Sequence, residues 1–410
     1  MSSSGRGDST ILCVCAFVRS IATGGVGVLF GIYLSRLGLA HADLSFVVAA
    51  GLAGGAAATL LVTMADRFPR RPTLVVLAVL SAAGCLAVAL VSDLSGLASL
   101  AFVGMVNSMG RDRGAATVLE SAVLPGTVSA GKRTSAFAWY HLLQDIGHAL
   151  GALLAGLAEI LRQWTSLGDI GSLRATLGVC AVLSLAPGFL AVFLSRGVEA
   201  PATQEAARLS PDGRRVVWRI SALFLVDSVA GGFLTTALLS FFFFERFGIG
   251  EGAVALLFVG ARALNALSHL AAAWLAKRIG LLNTMVFTHV PSSLLLATAV
   301  AAPSFPVAAT LFLLREGLVE MDVPTRQSYV MAVVCPSERI VASGVTHLVR
   351  MAGWAIGPSL AGLLLQGAPL AAPFLAGAGL KIAYDGLLFA AFRKLKPPEE
   401  RDNSRTGGIS

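Results

Sequence analysis

Long apolar runs recur along the whole chain, and they constrain its fold more than any other feature. The first six runs cover residues 11–35, 43–65, 73–92, 97–123, 134–161 and 171–195. Six more runs cover residues 216–244, 250–276, 281–300, 305–334, 338–366 and 369–392. A helix of about 20 apolar residues crosses a bilayer and satisfies its own backbone hydrogen bonds. The pattern therefore predicts an all-α integral membrane protein with twelve transmembrane helices.

The charge content agrees with a membrane protein. Of 410 residues, 56% are hydrophobic and only 13% are charged, whereas soluble domains carry about 25% charged residues. So few charges cannot cover a surface that faces water. The formal net charge of +8 does not indicate nucleic acid binding, because the basic residues lie in short segments between the apolar runs rather than in one basic patch.

The basic residues also predict the orientation of the helices. Cytoplasmic loops carry an excess of Lys and Arg. If the N-terminus is inside, the inner side receives Arg67, Arg70, Arg71, Lys132, Arg133, Lys277, Arg278, Arg339, Arg393, Lys394 and Lys396. The outer side keeps only Arg36, Arg162, Arg174 and Arg246. We therefore expect a multi-pass protein of the cell (inner) membrane with both termini in the cytoplasm.

The chain divides into two similar halves. Residues 196–215 form a long hydrophilic segment, which predicts a cytoplasmic linker between an N-terminal six-helix bundle (1–195) and a C-terminal one (216–392). Residues 393–410 predict a disordered cytoplasmic tail. Two stretches repeat at a nearly constant offset: Val18-Arg19-Ser20 aligns with Val226-Asp227-Ser228, and His141, Gly147 and Gly151 align with His347, Gly353 and Gly357. Six helices followed by six in the same orientation predict parallel repeats, with the substrate site near midplane at their interface.

The loop after the second run carries a recognisable motif. Ala65-Asp66-Arg67-Phe68-Pro69-Arg70-Arg71 is similar to the signature loop between helices two and three of the major facilitator superfamily. The two-half organisation resembles that family over nearly the whole chain. The resemblance implies the major facilitator fold and a conformational latch at Asp66, Arg67, Arg70 and Arg71. The alternative is that these charges only set topology.

The run from Gly353 to Gly362, with Gly357-Pro358 inside it, looks like the family's Gly-Pro motif. That motif is associated with antiport, which leaves efflux open as a direction of transport. Small residues at four-residue spacing also let helices approach closely, and we favour this packing interpretation.

Ionisable residues inside the apolar runs are the candidate functional residues, because a charge at bilayer depth needs a partner, water or a function. The first and seventh runs carry Arg19 and Asp227 at matching positions, where they either pair with each other or face the cavity separately. The resemblance places runs one, four, seven and ten around the central cavity. The other candidates for substrate binding or coupling are Arg111, Asp112, Arg113, His141, Asp145, His148, Arg262, Asn265, Arg315 and Glu316. The alternative is structural ion pairing between helices.

Two hypotheses concern the chemistry of these residues. Asp145 shares a helix face with His141 and His148, which makes it the candidate for a proton-carrying group. Several cavity arginines favour a carboxylate or phosphate, which guanidinium binds in bidentate fashion. Nearby acids can neutralise these arginines, so the sequence indicates only a preference for an anionic or zwitterionic solute.

These observations predict a secondary transporter, proton-coupled, that moves a small organic solute by alternating access. The alternatives are a facilitative uniporter, or a non-transporting receptor or lipid-handling protein on the same scaffold. Neither a phosphate-binding Gly-x-x-x-x-Gly-Lys loop nor a Gly-x-Ser-x-Gly nucleophile motif occurs, so we expect neither a pump nor an enzyme. We also expect no cofactor, no metal and no nucleic acid. The expected partners are the solute, protons and the lipid bilayer, and the expected state is a monomer.

Overall fold

The computed structural model describes residues 3–64, 69–128, 133–199, 209–335 and 338–393. Sixteen α-helices and no strand occur in these ranges. The first eight are α1 (Ser3–Arg36), α2 (His41–Met64), α3 (Arg70–Leu90), α4 (Leu94–Val103), α5 (Ala115–Thr127), α6 (Arg133–Leu154), α7 (Leu157–Trp164) and α8 (Asp169–Ala191). The other eight are α9 (Pro211–Gly232), α10 (Thr236–Phe247), α11 (Glu251–Ile279), α12 (Leu281–Val300), α13 (Phe305–Val319), α14 (Asp322–Val333), α15 (Arg339–Leu365) and α16 (Ala372–Phe392).

Every predicted apolar run contains at least one helix in the structure. Within the described ranges, nine helical segments are long and apolar enough to cross a membrane. Their outward surfaces carry large apolar side chains, among them Leu90, Val182 and Phe189, each about two-thirds or more exposed. A helix surface of this kind is stable against lipid and not against water. The predicted all-α integral membrane fold is confirmed.

Four of the twelve apolar runs are each divided into two helices in the structure. The fourth run is divided into α4 and α5, and the fifth into α6 and α7. The seventh run is divided into α9 and α10, and the tenth into α13 and α14. The widest of these breaks covers residues 104–114, in the middle of the fourth run. Irregular backbone at membrane depth is tolerated only where protein or a polar cavity satisfies it.

The chain forms two compact units. Unit 1 comprises the described residues within Met1–Thr203, Leu234–Arg262 and Ala355–Leu370. Unit 2 comprises those within Gln204–Phe233, Ala263–Trp354 and Ala371–Ser410. The predicted boundaries of the two bundles, the linker and the tail stay predictions, and residues 200–208 and 394–410 lie outside the described residues.

Unit 1 is built around α1, which packs closely against α6. A Cβ atom on Gly147 would lie 2.5 Å from the Phe17 carbonyl oxygen and 2.8 Å from the Ser20 Cβ. A Cβ on Gly151 would overlap the Ile21 carbonyl oxygen. Only glycine permits this separation of the two backbones. A buried apolar cluster lies on the same unit and comprises Leu12, Ala16, Leu74, Val123, Leu124, Tyr140, Ala191, Leu194 and Val198.

Unit 2 repeats this close packing between α9 and α15. A Cβ on Gly353 would lie 2.6 Å from the Ser228 Cβ and 3.0 Å from the Val229 nitrogen. Gly353 and Ser228 are the residues that the sequence repeat aligns with Gly147 and Ser20. Its buried core comprises Val217, Ile220, Phe224, Leu282, Met285, Val286, Tyr329, Val330, Val334, Ala342, Tyr384, Leu388 and Phe392.

Candidate functional site

The break at residues 104–114 in unit 1 is an ordered segment rather than an open loop. Met105, two residues after the end of α4, and Gly110 have φ angles of 52° and 64°, so the backbone of this segment departs from a helical path. The Asn107 side chain stabilises the turn: its Oδ1 accepts from the Met109 N–H at 2.9 Å and its Nδ2 donates to the Arg111 carbonyl at 2.7 Å. A residue with a short amide side chain favours such turns.

Contacts from α10 and α6 satisfy further backbone groups of this segment. The Ala237 N–H donates to the Ser108 carbonyl at 3.1 Å, and the Thr236 hydroxyl donates to the Met109 carbonyl at 2.7 Å. His148 on α6 accepts from the Asp112 N–H at 2.8 Å through Nε2. Because this nitrogen accepts a hydrogen bond, it carries a lone pair, and the ring is held as the Nδ1–H tautomer when neutral.

Arg19 on α1 neutralises the two acids nearest to the break. Its Nε lies 2.6 Å from Asp112 Oδ2, and its two terminal nitrogens donate to the two Glu120 oxygens at 2.7 and 2.6 Å. The Tyr140 hydroxyl adds a third hydrogen bond to Glu120 at 2.6 Å. Glu120 is 1% exposed. One guanidinium therefore serves two buried carboxylates, which is the bidentate geometry that Arg provides and Lys does not.

Three more arginines approach the same region of unit 1. Arg262 is buried and donates to the Thr236 hydroxyl at 3.2 Å. Arg111 and Arg113 are half-buried within the break itself. All three, together with Arg19, act electrostatically on His148. Several guanidinium groups therefore lie close to the break, and Arg19 among them pairs with Asp112 and Glu120.

Unit 2 contains a second buried network, centred on Asp227 of α9. Lys381 Nζ lies 2.8 Å from Asp227 Oδ1, and Arg350 Nη1 lies 2.9 Å from Oδ2. Arg326 is 3.7 Å from the same carboxylate and also pairs with Asp322. Phe224 packs below the guanidinium groups of Arg326 and Arg350, with centroid distances of 5.5 and 5.7 Å. Asp227 is 3% exposed, so this network is shielded from solvent.

The network extends from Lys381 to a histidine and a second acid. Lys381 Nζ is 3.3 Å from His289 Nε2. His289 Nδ1 lies 3.0 Å from both oxygens of Asp385. Asp385 is fully buried and His289 is 2% exposed. The side chains of α9, α12 and α16 thus form one continuous line from Asp227 to Asp385.

A family model described as Major Facilitator Superfamily matches residues 12–319, well over half of the chain. This chain belongs to the major facilitator superfamily. It is 21% identical over 420 aligned positions to the uncharacterized membrane protein YJR124C of Saccharomyces cerevisiae, and the alignment covers 94% of each chain.

Solved structures of major facilitator transporters share the fold. The nucleoside transporter NupG is 14% identical with a TM-score of 0.72, covering 94% of this chain and 98% of that one. A D-xylose–proton symporter is 12% identical with a TM-score of 0.71 and the same coverage. The human organic anion transporter MFSD10 is 16% identical with a TM-score of 0.59, covering 94% and 100%. At these identities the likeness shows the fold alone.

The structure places several sequence-predicted residues of this major facilitator protein apart from the two networks. Asp145 is half-buried and His141 is exposed. His141 instead faces Gln144, with 3.1 Å between Nδ1 and Oε1. In unit 2, Asn265 donates to Glu316 at 2.9 Å, and Glu316 also pairs with Arg315. Arg19 and Asp227 each find their partners within their own unit.

The structure describes only two of the four predicted latch residues. Asp66 and Arg67 fall outside the described residues. Arg70 and Arg71 begin α3, and their backbone N–H groups donate to the two oxygens of Glu199 at 2.6 and 3.0 Å. The Arg70 guanidinium also donates to the Val198 carbonyl at 3.1 Å. Glu199 therefore caps the helix that the signature loop precedes.

The sequence reasoning missed His289, Lys381 and Asp385. Each was visible as an ionisable residue inside the ninth or twelfth apolar run, which is the signal that singled out the other candidates. The sequence-predicted candidates lie instead in runs that carry several charges or that line the cavity in the family.

Proposed function

We propose that this protein is a proton-coupled secondary transporter that moves a small organic solute, anionic or zwitterionic, by alternating access. The observation that carries the proposal is the pair of buried charge networks. A charged residue at the centre of a membrane helix costs about 2.5–3.5 kcal/mol on insertion scales. A bundle that only had to span the bilayer would be as stable or more stable with apolar residues at these positions.

The preference for an anionic group is supported by the arginines at the break of the fourth run. Arg111 and Arg113 lie within this segment, Arg262 donates to Thr236 beside it, and all three act electrostatically on His148. A carboxylate or phosphate fits such a region because guanidinium groups bind these anions in bidentate fashion. The likeness to an organic anion transporter is consistent with this preference.

Proton coupling is supported by titratable groups in buried positions, among them His289 and Asp385. The likeness to a D-xylose–proton symporter is consistent with it. We further propose that the protein works as a monomer in the cell (inner) membrane with both termini in the cytoplasm. A facilitative uniporter is the second candidate, and a receptor or lipid-handling protein on the same scaffold is the third.

The test is reconstitution of the purified protein into liposomes that contain a pH-sensitive dye. A panel of carboxylates, phosphorylated metabolites, nucleosides, sugars, amines and lipophilic drugs is added outside. Arg113→Gln is the test variant, and Arg246→Gln, which alters an exposed arginine, is its matched control. A carboxylate or phosphate that drives proton flux in wild type and in the control, but weakly in Arg113→Gln, supports the proposal.

Three other outcomes contradict it. Tracer uptake down its own gradient without proton flux identifies a uniporter. A response restricted to amines or neutral sugars, with Arg113→Gln equal to wild type, overturns the assignment of an anionic solute. Absence of transport across the whole panel favours a receptor or a lipid-handling protein.

A further inference from the structure

The His289–Asp385 pair in unit 2 has a hydrogen-bond pattern that determines where its protons lie. His289 Nδ1 is equidistant, at 3.0 Å, from the two Asp385 oxygens, which can only accept when the carboxylate is ionised. His289 Nε2 lies 3.3 Å from the Lys381 ammonium group, which can only donate. The geometry therefore favours neutral His289 with its proton on Nδ1 and a lone pair directed at Lys381.

The charged groups in direct contact around this pair are balanced in that state. Lys381, Arg326 and Arg350 oppose Asp227, Asp322 and Asp385 among the groups in direct contact. Glu320, at the end of α13, also acts on Arg326. Tyr384 packs edge-on against the His289 ring with centroids 6.2 Å apart. These groups come from α9, α13, α14, α15 and α16.

The two central acids differ in how their charge is compensated. Asp227 contacts Lys381, Arg350 and Arg326, so removal of its charge would leave several cations without their counter-ion. Among the described residues, Asp385 is hydrogen-bonded only to the His289 imidazole, Lys381 acts on it electrostatically, and its side chain is 1% exposed. A buried carboxylate with a neutral partner is the group that gains most from taking up a proton.

We propose that Asp385 is the proton-carrying group of this transporter and that His289 and Lys381 are its positioning residues. The proposal rests on the proton coupling proposed above. In the loading step one proton binds a carboxylate oxygen of Asp385, and the pair changes from one negative charge to none. The proton does not settle on His289 Nε2, because an N–H there would face the Lys381 ammonium group.

A further observation supports proton access to this place. The Tyr384 hydroxyl is buried and has no hydrogen-bond partner among the described residues, and its ring packs against that of His289. Buried hydroxyls without partners are rare in folded proteins. A hydroxyl can both donate and accept a hydrogen bond, so Tyr384 is suited to pass a proton near the His289–Asp385 pair.

The first test needs no solute. Infrared difference spectra of the full chain in lipid nanodiscs are recorded between alkaline and acidic buffer. Wild type should gain the carbonyl band of a protonated carboxylic acid in a dry environment. Asp385→Asn should lose this band, and Asp93→Asn, which alters an exposed carboxylate outside the membrane spans, should retain it. A band that persists in Asp385→Asn, or that disappears in Asp227→Asn instead, overturns the proposal.

If Asp385→Asn does not fold, His289→Gln tests whether Asp385 is the group that takes up the proton. This variant keeps the carboxylate and removes the imidazole, so the midpoint of the carbonyl band should shift in pH. An unchanged midpoint would show that His289 does not position Asp385. His41→Gln, at an exposed histidine of α2, is the matched control and should leave the midpoint where it is.

The transport measurement separates this inference from the proposed function. With a solute from the panel, Asp385→Asn should lose proton flux and still exchange labelled for unlabelled solute. Proton-coupled flux that survives in Asp385→Asn overturns this assignment and leaves the proposed function intact. Absence of transport in wild type overturns the proposed function, while the infrared band still decides whether Asp385 titrates.

Discussion

Arg19 holds Glu120 through two parallel hydrogen bonds of 2.7 and 2.6 Å, although the two residues lie 101 positions apart in the chain. The same guanidinium binds Asp112 at 2.6 Å. These contacts join α1 to α5 and to the irregular segment at residues 104–114. Arg19 therefore fixes the position of a break that would otherwise expose unpaired acids to the interior of the bundle.

Arg19→Met should destabilise the protein by about 3–5 kcal/mol, because it leaves two buried carboxylates without their counter-ion. Combining it with Glu120→Met should recover part of this loss, since only Asp112 then stays unpaired. Thermal unfolding in detergent measures both effects. Arg19→Lys keeps the positive charge but cannot form the two parallel hydrogen bonds, so its stability should lie between those of wild type and Arg19→Met. Equal stability of Arg19→Met and wild type would show that the network contributes nothing to the fold.

The second prediction concerns the glycines that the sequence repeat aligns. Gly147→Ala and Gly353→Ala should each cost about 1–3 kcal/mol, because the added methyl group would overlap a neighbouring helix. Gly178→Ala is the matched control: it lies within α8, and nothing is within 4 Å of its Cβ position. It should stabilise the helix by up to about 1 kcal/mol. Melting temperatures should fall for Gly147→Ala and Gly353→Ala and rise for Gly178→Ala. A higher melting temperature for Gly147→Ala would contradict close packing at that position.

The close packing at these glycines shows why the fold is predictable from the sequence. Apolar runs must be helical in lipid, so the sequence determines their number and approximate limits without knowledge of tertiary contacts. The repeat adds packing information, because Gly147 and Gly353 match in sequence and also meet the matched serines Ser20 and Ser228 in the structure. Local physical constraints suffice for these features.

The break at residues 104–114 was not predicted, because long-range contacts help to form it. Its carbonyl groups at Ser108 and Met109 are satisfied by α10, more than 120 residues away. Gly104, Gly110 and Gly114 are a local signal for it, but glycines are frequent throughout this chain. Likewise, Asp227 was singled out from the sequence, whereas its partners Lys381 and Arg350 depend on how α9, α15 and α16 pack.

The third prediction concerns the cap that Glu199 provides for α3. The first N–H groups of a helix have no partner within the helix, and a carboxylate there also interacts favourably with the helix dipole. Glu199→Gln should lower stability by about 0.5–2 kcal/mol, as for the loss of other caps. Amides at the start of α3 should exchange faster in hydrogen–deuterium exchange. Arg196→Gln, an exposed neighbour, is the control, and equal exchange in the two variants would contradict a capping role.

The last prediction is a pH dependence at Glu338, which lies outside the membrane-spanning segments. Hydrogen bonding from the Ser210 backbone N–H to its carboxylate holds the pKa of Glu338 below the ordinary value of 4.5. The Ser210 hydroxyl in turn accepts from the Gly213 N–H at 3.0 Å and caps α9. The folded state prefers ionised Glu338, so this stabilisation is fully present above pH 4.5 and is lost as the pH falls through the lower pKa of the folded protein.

Glu338→Gln should therefore melt at a lower temperature than wild type at neutral pH, and the difference should shrink as the pH falls below 4.5. The comparison is a series of melting curves for the two proteins across that range. Asp212→Asn is the control, since this exposed acid on the first turn of α9 forms no hydrogen bond among the described residues, and its difference from wild type should change far less with pH. If the difference in melting temperature between Glu338→Gln and wild type stays constant as the pH falls, the contact does not depend on the charge of Glu338.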